Sequence, residues 1–261
     1  MDHNKTPIIE TRSLGFTYRA TSVVKDVSMW LPRGGVGALI GANGSGKSTL
    51  IRLLAGLLTP STGEVFVDGI PLASMALRER AKRIAYVSQT TAMVFPFTAI
   101  EVVLTGRSPF TGRFGFESID DEEIALAALA SLDAAHLAHR PVTELSGGER
   151  QLVTVARALA QQPDVMLLDE PASSLDLKHR TQLAHALHRV SRERGIAALI
   201  ITHDLMLLDS RVDLILTMKC GRITSIGPTE MVLVEHVLSD IYDVRVKTER
   251  SRNRTFVWSE L

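Results

Sequence analysis

The sequence has a single cysteine, no excess of either charge and no long apolar run, and each absence excludes a class of protein. Cys220 stands alone in 261 residues, so no internal disulfide can form and the chain fits a reducing compartment. Lysine plus arginine and aspartate plus glutamate both number 29, which leaves no overall basic surface for nucleic acid. No apolar run approaches the ~18 residues needed to span a bilayer, and residues 1–7 do not resemble a signal peptide. We therefore expect a soluble chain that binds no nucleic acid and reaches a membrane only through a partner.

The chain does contain a regular alternation of short apolar runs and helical patterns, and 45% of its residues are hydrophobic. Four of the runs are bounded by polar or glycine residues, which is typical of strands buried on both faces of a parallel sheet. Helical patterns lie between them, as in βαβ units. The pattern predicts an α/β fold with a mostly parallel sheet, in a chain long enough for a single domain with a subdomain. The four runs are 36–40, 84–87, 165–168 and 198–201.

Two parts of the chain depart from the alternation before residue 150. Residues 8–18 and 27–31 have the composition of strands, and together with 65–67 they predict an N-terminal antiparallel sheet. Residues 98–145 contain helical stretches and no convincing strand. We read them as a helical subdomain inserted in the α/β core.

The C-terminal part, from about 213 to 261, departs from the alternation again. Residues 214–226 read as a β-hairpin, and a helix with a broad apolar stripe follows. The charged stretch 247–254 is expected to be an exposed tail, and 256–258 a last short strand.

A phosphate-binding loop follows the first buried run. The sequence there reads G-x-x-x-x-G-K-S-T between a strand and a helical pattern. Glycines let the loop wrap around a phosphate, and backbone N–H groups at the helix N-terminus face the anion. Lys47 can reach the β- and γ-phosphates, and the Ser48 hydroxyl can hold Mg²⁺. The predicted loop residues are Gly41, Ala42, Asn43, Gly44, Ser45, Gly46, Lys47, Ser48 and Thr49.

Two carboxylates end the third buried run. Asp169 stands at the strand end, where a carboxylate can hold Mg²⁺ through its water shell. Glu170 follows it, and a carboxylate beside the γ-phosphate can polarise a water for in-line attack. Downstream of a phosphate loop, this pair predicts hydrolysis of a nucleoside triphosphate.

A second anion site is predicted at Leu145–Gln151, which reads L-S-G-G-E-R-Q. The Ser146 hydroxyl, the amides of Gly147 and Gly148 and the positive helix end can bind a phosphate. One chain does not need two such sites for one phosphate group, which favours a head-to-tail dimer in which each copy covers the other's nucleotide. The same residues also suit a helix cap, with Ser146 and Glu149 forming a capping box, and both interpretations can hold together.

In this order, the phosphate loop, Leu-Ser-Gly-Gly-Glu and Val-Met-Leu-Leu-Asp-Glu-Pro resemble the nucleotide-binding subunit of an ABC transporter over essentially the whole chain. The resemblance implies a P-loop ATPase that uses Mg·ATP, with Lys47 and Glu170 in catalysis. It also implies roles for residues outside these motifs. Tyr18 resembles the aromatic residue that stacks on adenine, Gln89 the Q-loop glutamine that touches Mg²⁺, Ser174-Leu175-Asp176 the D-loop, and His203 the switch histidine that contacts the γ-phosphate. Ala42 and Glu149 stand where the family often has proline and glutamine, and neither change removes a phosphate ligand.

The segment Val102–Phe110 is similar to one in the ATPases that power iron-siderophore, haem and vitamin B12 importers. That branch implies a homodimer of ATPases on the cytoplasmic face of the membrane, bound to many-helix permease subunits and served by a substrate-binding protein. Molybdate-type importers share the segment and stay open as an alternative. The residues expected near the permease are Phe95, Pro96, Phe97, Arg107, Phe110, Arg113, Phe114 and Phe116, each of which can instead belong to a small core under the helical subdomain.

Two other functional classes remain as alternatives. A soluble ABC ATPase of DNA repair or of the ribosome would share the ATP site, but the zero net charge and the single ATPase unit argue against it. A small-molecule kinase would share only the phosphate loop, and the Leu-Ser-Gly-Gly-Glu segment argues against that class.

Overall fold

The computed structural model describes residues 7–89, 95–111, 118–173, 175–205, 208, 211–251 and 254–260. Within these ranges no helix is both long enough and apolar enough to cross a membrane. The strands are β1 (Pro7–Tyr18), β2 (Thr21–Pro32), β3 (Val36–Ile40), β4 (Thr62–Val67), β5 (Ile70–Pro71), β6 (Ile84–Val87), β7 (Val165–Asp169), β8 (Ala197–Ile201), β9 (Leu214–Lys219), β10 (Arg222–Gly227), β11 (Val246–Ser251) and β12 (Arg254–Ser259). The α-helices are α1 (Lys47–Leu54), α2 (Leu77–Arg83), α3 (Ala99–Leu104), α4 (Ile119–Ala130), α5 (Gly147–Ala160), α6 (Leu177–Arg194), α7 (Thr229–Val232) and α8 (Glu235–Tyr242).

A six-stranded sheet forms the centre of the fold, in the order β10-β9-β3-β8-β7-β6. Strands β9, β3, β8, β7 and β6 run parallel, and β10 pairs antiparallel with β9 at the edge. Alternate residues of β7 pack into two different cores: Met166 and Leu168 on one side, Val165 and Leu167 on the other. The predicted α/β class with a mostly parallel sheet is therefore confirmed. Parallel strands have their carboxyl ends along the same edge of the sheet, so the residues that follow β3, β6, β7 and β8 lie close together at that edge.

The predicted N-terminal antiparallel sheet is also present, in the order β2-β1-β4-β5. Its core-facing residues include Ile9 and Leu14 of β1 and Val67 of β4, all of which are fully buried. These residues belong to the same core as one face of the parallel sheet, so the two sheets enclose α1 between them.

Between β6 and β7 the described residues form helices. Helices α3 and α4 pack with α5 in a common core that includes Val103, Leu129 and Val153. Thr98 and Pro141 form an isolated β-bridge, and no named strand lies among the described residues of this part. The boundaries of a helical subdomain at 98–145 stay a prediction.

The C-terminal part contains the predicted hairpin, β9 with β10, but differs from the prediction after it. The single helix is instead two short ones, α7 and α8. The charged stretch expected to be an exposed tail is largely strand β11, which pairs antiparallel with β12. The exposure of the stretch is as expected at residues 249–251, and the expected last strand is part of β12, but the expectation of a tail without a strand was wrong. The start of β11 is also held by Glu235 of α8, which accepts a hydrogen bond from the backbone N–H of Thr248 at 3.2 Å and pairs with Lys247 at 3.4 Å.

Candidate functional site

The phosphate-binding loop connects β3 to α1, and its glycines are required by close contacts. Gly41 has φ 155°, and a Cβ there would lie 2.2 Å from the carbonyl oxygen of Met218. Gly46 caps α1 at φ 107°, and a Cβ there would lie 2.7 Å from the carbonyl oxygen of Val23. Side chains at either position would push the loop off the neighbouring strands, so the sequence of the loop sets its shape.

The polar atoms of the loop are arranged as an anion site would need them. The Nζ of Lys47 donates hydrogen bonds to the carbonyl oxygens of Gly41 and Ala42 at 2.8 and 2.9 Å. Burial lowers the pKa of Lys47, while the nearby carboxylates of Glu170 and Asp169 act in the opposite direction. The hydroxyl of Ser45 is buried and has no hydrogen-bond partner. Since an unpartnered buried hydroxyl is costly, this one fits a phosphate oxygen as its partner.

Two oxygen ligands suitable for Mg²⁺ lie side by side next to the loop. The Ser48 hydroxyl donates to Oδ1 of Asp169 at 3.4 Å. Asp169 is buried at the end of β7, and burial is the main reason why its pKa is raised. Among the described residues no group of three or more histidine, cysteine or acidic side chains could hold a metal ion. The Ser48–Asp169 pair offers two oxygens, and Mg²⁺ is usually bound by one or two protein oxygens together with phosphates and water.

The carboxylate of Glu170 brings two further predicted residues together. Nε2 of Gln89 donates to Oε2 of Glu170 at 2.9 Å, and Nε2 of His203 lies 2.7 Å from Oε1. The backbone of Glu170 is in the left-handed region, with φ 51°, and its N–H donates to the carbonyl oxygen of Ile201 at 3.1 Å. Strand ends β6, β7 and β8 thus place Gln89, Glu170 and His203 at one point of the sheet edge.

The segment of the second predicted anion site begins helix α5. Ser146 is its N-cap, and the capping box is complete: Glu149 N–H donates to the Ser146 hydroxyl at 3.2 Å, and Ser146 N–H donates to the Glu149 carboxylate at 2.8 Å. A Cβ at Gly147 would meet no atom within 4 Å, so the helix end is open there, whereas a Cβ at Gly148 would lie 3.3 Å from the side chain of Leu175. Within the described residues no hydrogen bond joins Ser146, Gly147 or Gly148 to the loop at 41–49. The structure therefore shows the cap, and the phosphate role stays a prediction.

Tyr18 lies at the end of β1 with 43% of its surface exposed. Its ring packs nearly perpendicular to that of Phe16, with ring centroids 4.6 Å apart and an interplanar angle of 83°. The phenyl ring of Phe16 holds the tyrosine in place and leaves much of it exposed, as a stacking surface for a base requires.

Arg107 is not the exposed residue that the sequence suggested. Only 6% of it is exposed, because Nε donates to Oδ1 of Asp121 at 2.7 Å and Nη1 donates to the carbonyl oxygen of Ala160 at 2.9 Å. The guanidinium also lies 4.0 Å from the ring centroid of Phe110. Arg107 therefore connects the helices around α5, and its expected place at a permease surface is wrong.

Phe95 and Phe97 are exposed, as the sequence suggested, and their ring centroids are 6.1 Å apart. Pro96 and Phe110 are exposed as well. Three other residues expected near a permease, Arg113, Phe114 and Phe116, lie outside the described residues, as does Ser174 of the D-loop segment.

Sequence reasoning missed one arginine beside the site. Arg180, on α6, donates to the carbonyl oxygen of Leu175 at 2.6 Å and to Oδ2 of Asp204 at 3.0 Å. The one signal in the sequence for this contact is that Asp204 immediately follows His203. The contact itself joins two segments that are distant along the chain, so no local pattern indicates it.

The α/β fold and the phosphate loop define a nucleoside triphosphate-binding protein, and comparison with known proteins gives its family. Residues 24–173 match the family described as ABC transporter. The chain is 37% identical over 245 residues to the hemin import ATP-binding protein HmuV of Thermobifida fusca, covering 93% of this chain and 84% of that protein. It is 36% identical over 238 residues to the cobalamin import ATP-binding protein BtuD of Halobacterium salinarum, covering 91% of this chain and 59% of that protein.

Solved structures agree with this match. A metal-chelate type ABC transporter in an inward-facing conformation has a chain with a TM-score of 0.86 and 27% identity, covering 98% of both chains. A dimeric bacterial ABC transporter cassette has a TM-score of 0.75 and 27% identity, covering 84% of this chain and 98% of that one. The chain belongs to the ABC transporter family and is an ATPase of that family.

Proposed function

We propose that this chain is the ATP-hydrolysing subunit of an importer for a metal chelate such as haem, an iron-siderophore or cobalamin. The observation that carries the hydrolytic part is the meeting of Gln89, Glu170 and His203 at the sheet edge that also bears Lys47 and Asp169. A bound triphosphate would be held by the loop amides, Lys47 and Ser45. Ser48, Asp169 and Gln89 would hold Mg²⁺, which supplies charge neutralisation at the phosphates.

In the mechanism we infer, Glu170 orients the attacking water and accepts its proton. His203 holds the carboxylate in place through its contact at 2.7 Å and contacts the γ-phosphate. Lys47 stabilises the negative charge that develops on the transferred phosphoryl group. The products are ADP and inorganic phosphate.

A second copy of the chain completes the site in this proposal. The open end of α5 at Ser146, Gly147 and Gly148 would bind the γ-phosphate held by the partner's loop, since its amides and dipole favour an anion. ATP would then stabilise the closed dimer through contacts that exist only in that state. The similarity to a dimeric cassette supports this arrangement.

Phe95 and Phe97 mark the surface proposed for the permease. An apolar surface of this kind can take a short helix from a cytoplasmic loop of the partner. The chain would then lie on the cytoplasmic face of the membrane, bound to permease subunits that receive cargo from a substrate-binding protein. The cargo class follows the relatives that import hemin and cobalamin, and the metal-chelate structure.

The test is copurification from detergent-solubilised native membranes with an affinity tag on the chain. We expect a many-helix permease in equal amount, and uptake assays with haem, an iron-siderophore and cobalamin then identify the cargo.

Phe97→Asp should reduce permease recovery several-fold without lowering the ATPase rate of the isolated chain. Met231→Asp is the matched control, because Met231 is 63% exposed, against 55% for Phe97, but lies on α7. Recovery only with ribosomes or DNA-repair proteins would overturn the transport role and leave the ATPase chemistry intact.

A further inference from the structure

We propose that Arg180 is a positioning residue for hydrolysis, which holds the segment that carries His203 against the segment that follows Glu170. The inference rests on the roles proposed above for Glu170 and His203. Arg180 lies near the start of α6 and touches neither of those two side chains in the bonds described for it. Its effect on the reaction would therefore be indirect.

The first contact of Arg180 is with the segment that follows Glu170. Nε of Arg180 donates to the carbonyl oxygen of Leu175 at 2.6 Å. Two turns follow Glu170. The N–H and the hydroxyl of Ser173 both donate to the carbonyl oxygen of Glu170, at 3.2 and 3.0 Å. The N–H of Leu175 donates to the carbonyl oxygen of Ala172 at 3.1 Å, and Leu175 is buried. The carbonyl that Arg180 binds thus belongs to a residue that is itself held in place close to the proposed catalytic carboxylate.

The second contact of Arg180 is with the segment that carries His203. Nη1 of Arg180 donates to Oδ2 of Asp204 at 3.0 Å, and the backbone N–H of Asp204 donates to the hydroxyl of Thr202 at 3.0 Å. Thr202 is buried, so this turn is anchored to the sheet. His203 lies between the two anchored residues, and its direction toward Glu170 depends on where they are held.

Arg180 therefore connects Leu175 to Asp204, and Asp204 adjoins His203, which contacts Glu170. A guanidinium is planar and its donors have a fixed spacing, so one arginine can set both the distance and the angle between the two segments. Displacements of about 1 Å in a reacting group can lower a rate by about 100-fold.

Stabilisation of helix α6 alone does not account for the arrangement. The first turn of α6 is capped by Asp176, whose carboxylate accepts from the N–H of His179 at 2.8 Å. The Arg180–Asp204 pair is partly exposed, with side-chain exposures of 33% and 26%, and pairs of this kind contribute little to folding stability. Loss of Arg180 should therefore change the rate of hydrolysis more than the stability of the fold.

The experiment measures kcat, KM for ATP and the thermal unfolding midpoint of the full chain with Arg180→Ala and Arg180→Lys. Arg189→Ala is the matched control, because Arg189 also lies on α6 and donates to a distant carbonyl, that of Ser131, at 2.8 Å. We expect Arg180→Ala to lower kcat by about 10- to 100-fold with KM for ATP little changed. Arg180→Lys should recover part of the loss because it keeps the charge beside Asp204, and Arg189→Ala should keep full activity.

The decisive measurement repeats Arg180→Ala in a chain that already carries His203→Ala. If Arg180 acts through His203, the second substitution adds almost no further loss of kcat, whereas independent effects would multiply. Equal losses in both backgrounds, or a loss no greater than that of Arg189→Ala, would overturn the inference while leaving the proposed ATPase mechanism intact. An unchanged kcat in His203→Ala alone would instead refute the role proposed for the histidine, and the inference with it.

Discussion

Replacement of Glu170 by glutamine should separate binding of ATP from its hydrolysis. The amide has the size of the carboxylate, and its oxygen can still accept the hydrogen bond that Gln89 donates at 2.9 Å. Its NH₂ group can donate to Nε2 of a neutral His203, which lies 2.7 Å from the other carboxylate oxygen. Both contacts therefore survive, and the free energy of unfolding should change little.

The rate should fall steeply because an amide cannot accept a proton from the attacking water. Loss of a positioned general base typically lowers kcat by about 10²- to 10⁴-fold, which corresponds to roughly 3–5 kcal/mol of activation free energy. The loop residues that bind the triphosphate are untouched, so the affinity for ATP should be retained. On the proposed mechanism the variant should accumulate as a dimer with ATP bound.

Three assays test this prediction: release of inorganic phosphate under saturating Mg·ATP, ATP affinity by calorimetry, and size-exclusion chromatography with and without ATP. Glu149→Gln is the matched control, because glutamine can replace glutamate in the capping box of α5 and should leave kcat unchanged. A kcat within a few-fold of the unmodified chain would refute the assignment of Glu170 as the general base. A large loss of ATP affinity would show that the carboxylate acts in binding instead.

Two further predictions concern binding and stability. Lys47→Ala should abolish measurable ATP binding by calorimetry while the chain stays folded by circular dichroism, because the amine is the loop's charged phosphate ligand; retained affinity would contradict its assigned role. Asp121→Asn should make stability less sensitive to acid. The hydrogen bond from Arg107, followed by those from Ser118, holds the pKa of Asp121 below its ordinary value of 3.8, so the stabilisation is complete above that value and is lost as the pH falls through the lower pKa. Thermal unfolding of both chains between about pH 5 and about pH 2 measures the difference, and parallel curves over this range would contradict it.

The strands of the central sheet could be predicted because burial on both faces leaves a local signature. Residues 36–40 and 165–169 are apolar almost throughout and fully buried, so composition alone locates them. The resemblance to ABC ATPases implied a common site for Asp169, Glu170 and His203, and the neighbouring parallel strands β7 and β8 end where that site requires. The glycines of the loop could be predicted from their motif, and the contacts they permit lie between neighbouring elements.

Contacts between charged side chains could not be predicted in this way. Arg107 has the composition of a surface residue, and its burial depends on Asp121 of α4 and on the last carbonyl of α5. Strand β11 is likewise too charged to be recognised as a strand from its composition. Its charged side chains pair with Glu235 and Glu230, which lie outside the strand. In both cases the partner of the charged side chain is distant in the sequence, so no local periodicity predicts the contact.

The orientation of Gln89 resolves an apparent conflict in its proposed roles. The same side chain is expected to bind Mg²⁺ and is found on Glu170, but the two tasks use different atoms. Its amide nitrogen donates to the carboxylate at 2.9 Å, and its amide oxygen is the ligand type that Mg²⁺ prefers. One glutamine can therefore connect the proposed metal site at Ser48 and Asp169 to the proposed base at Glu170.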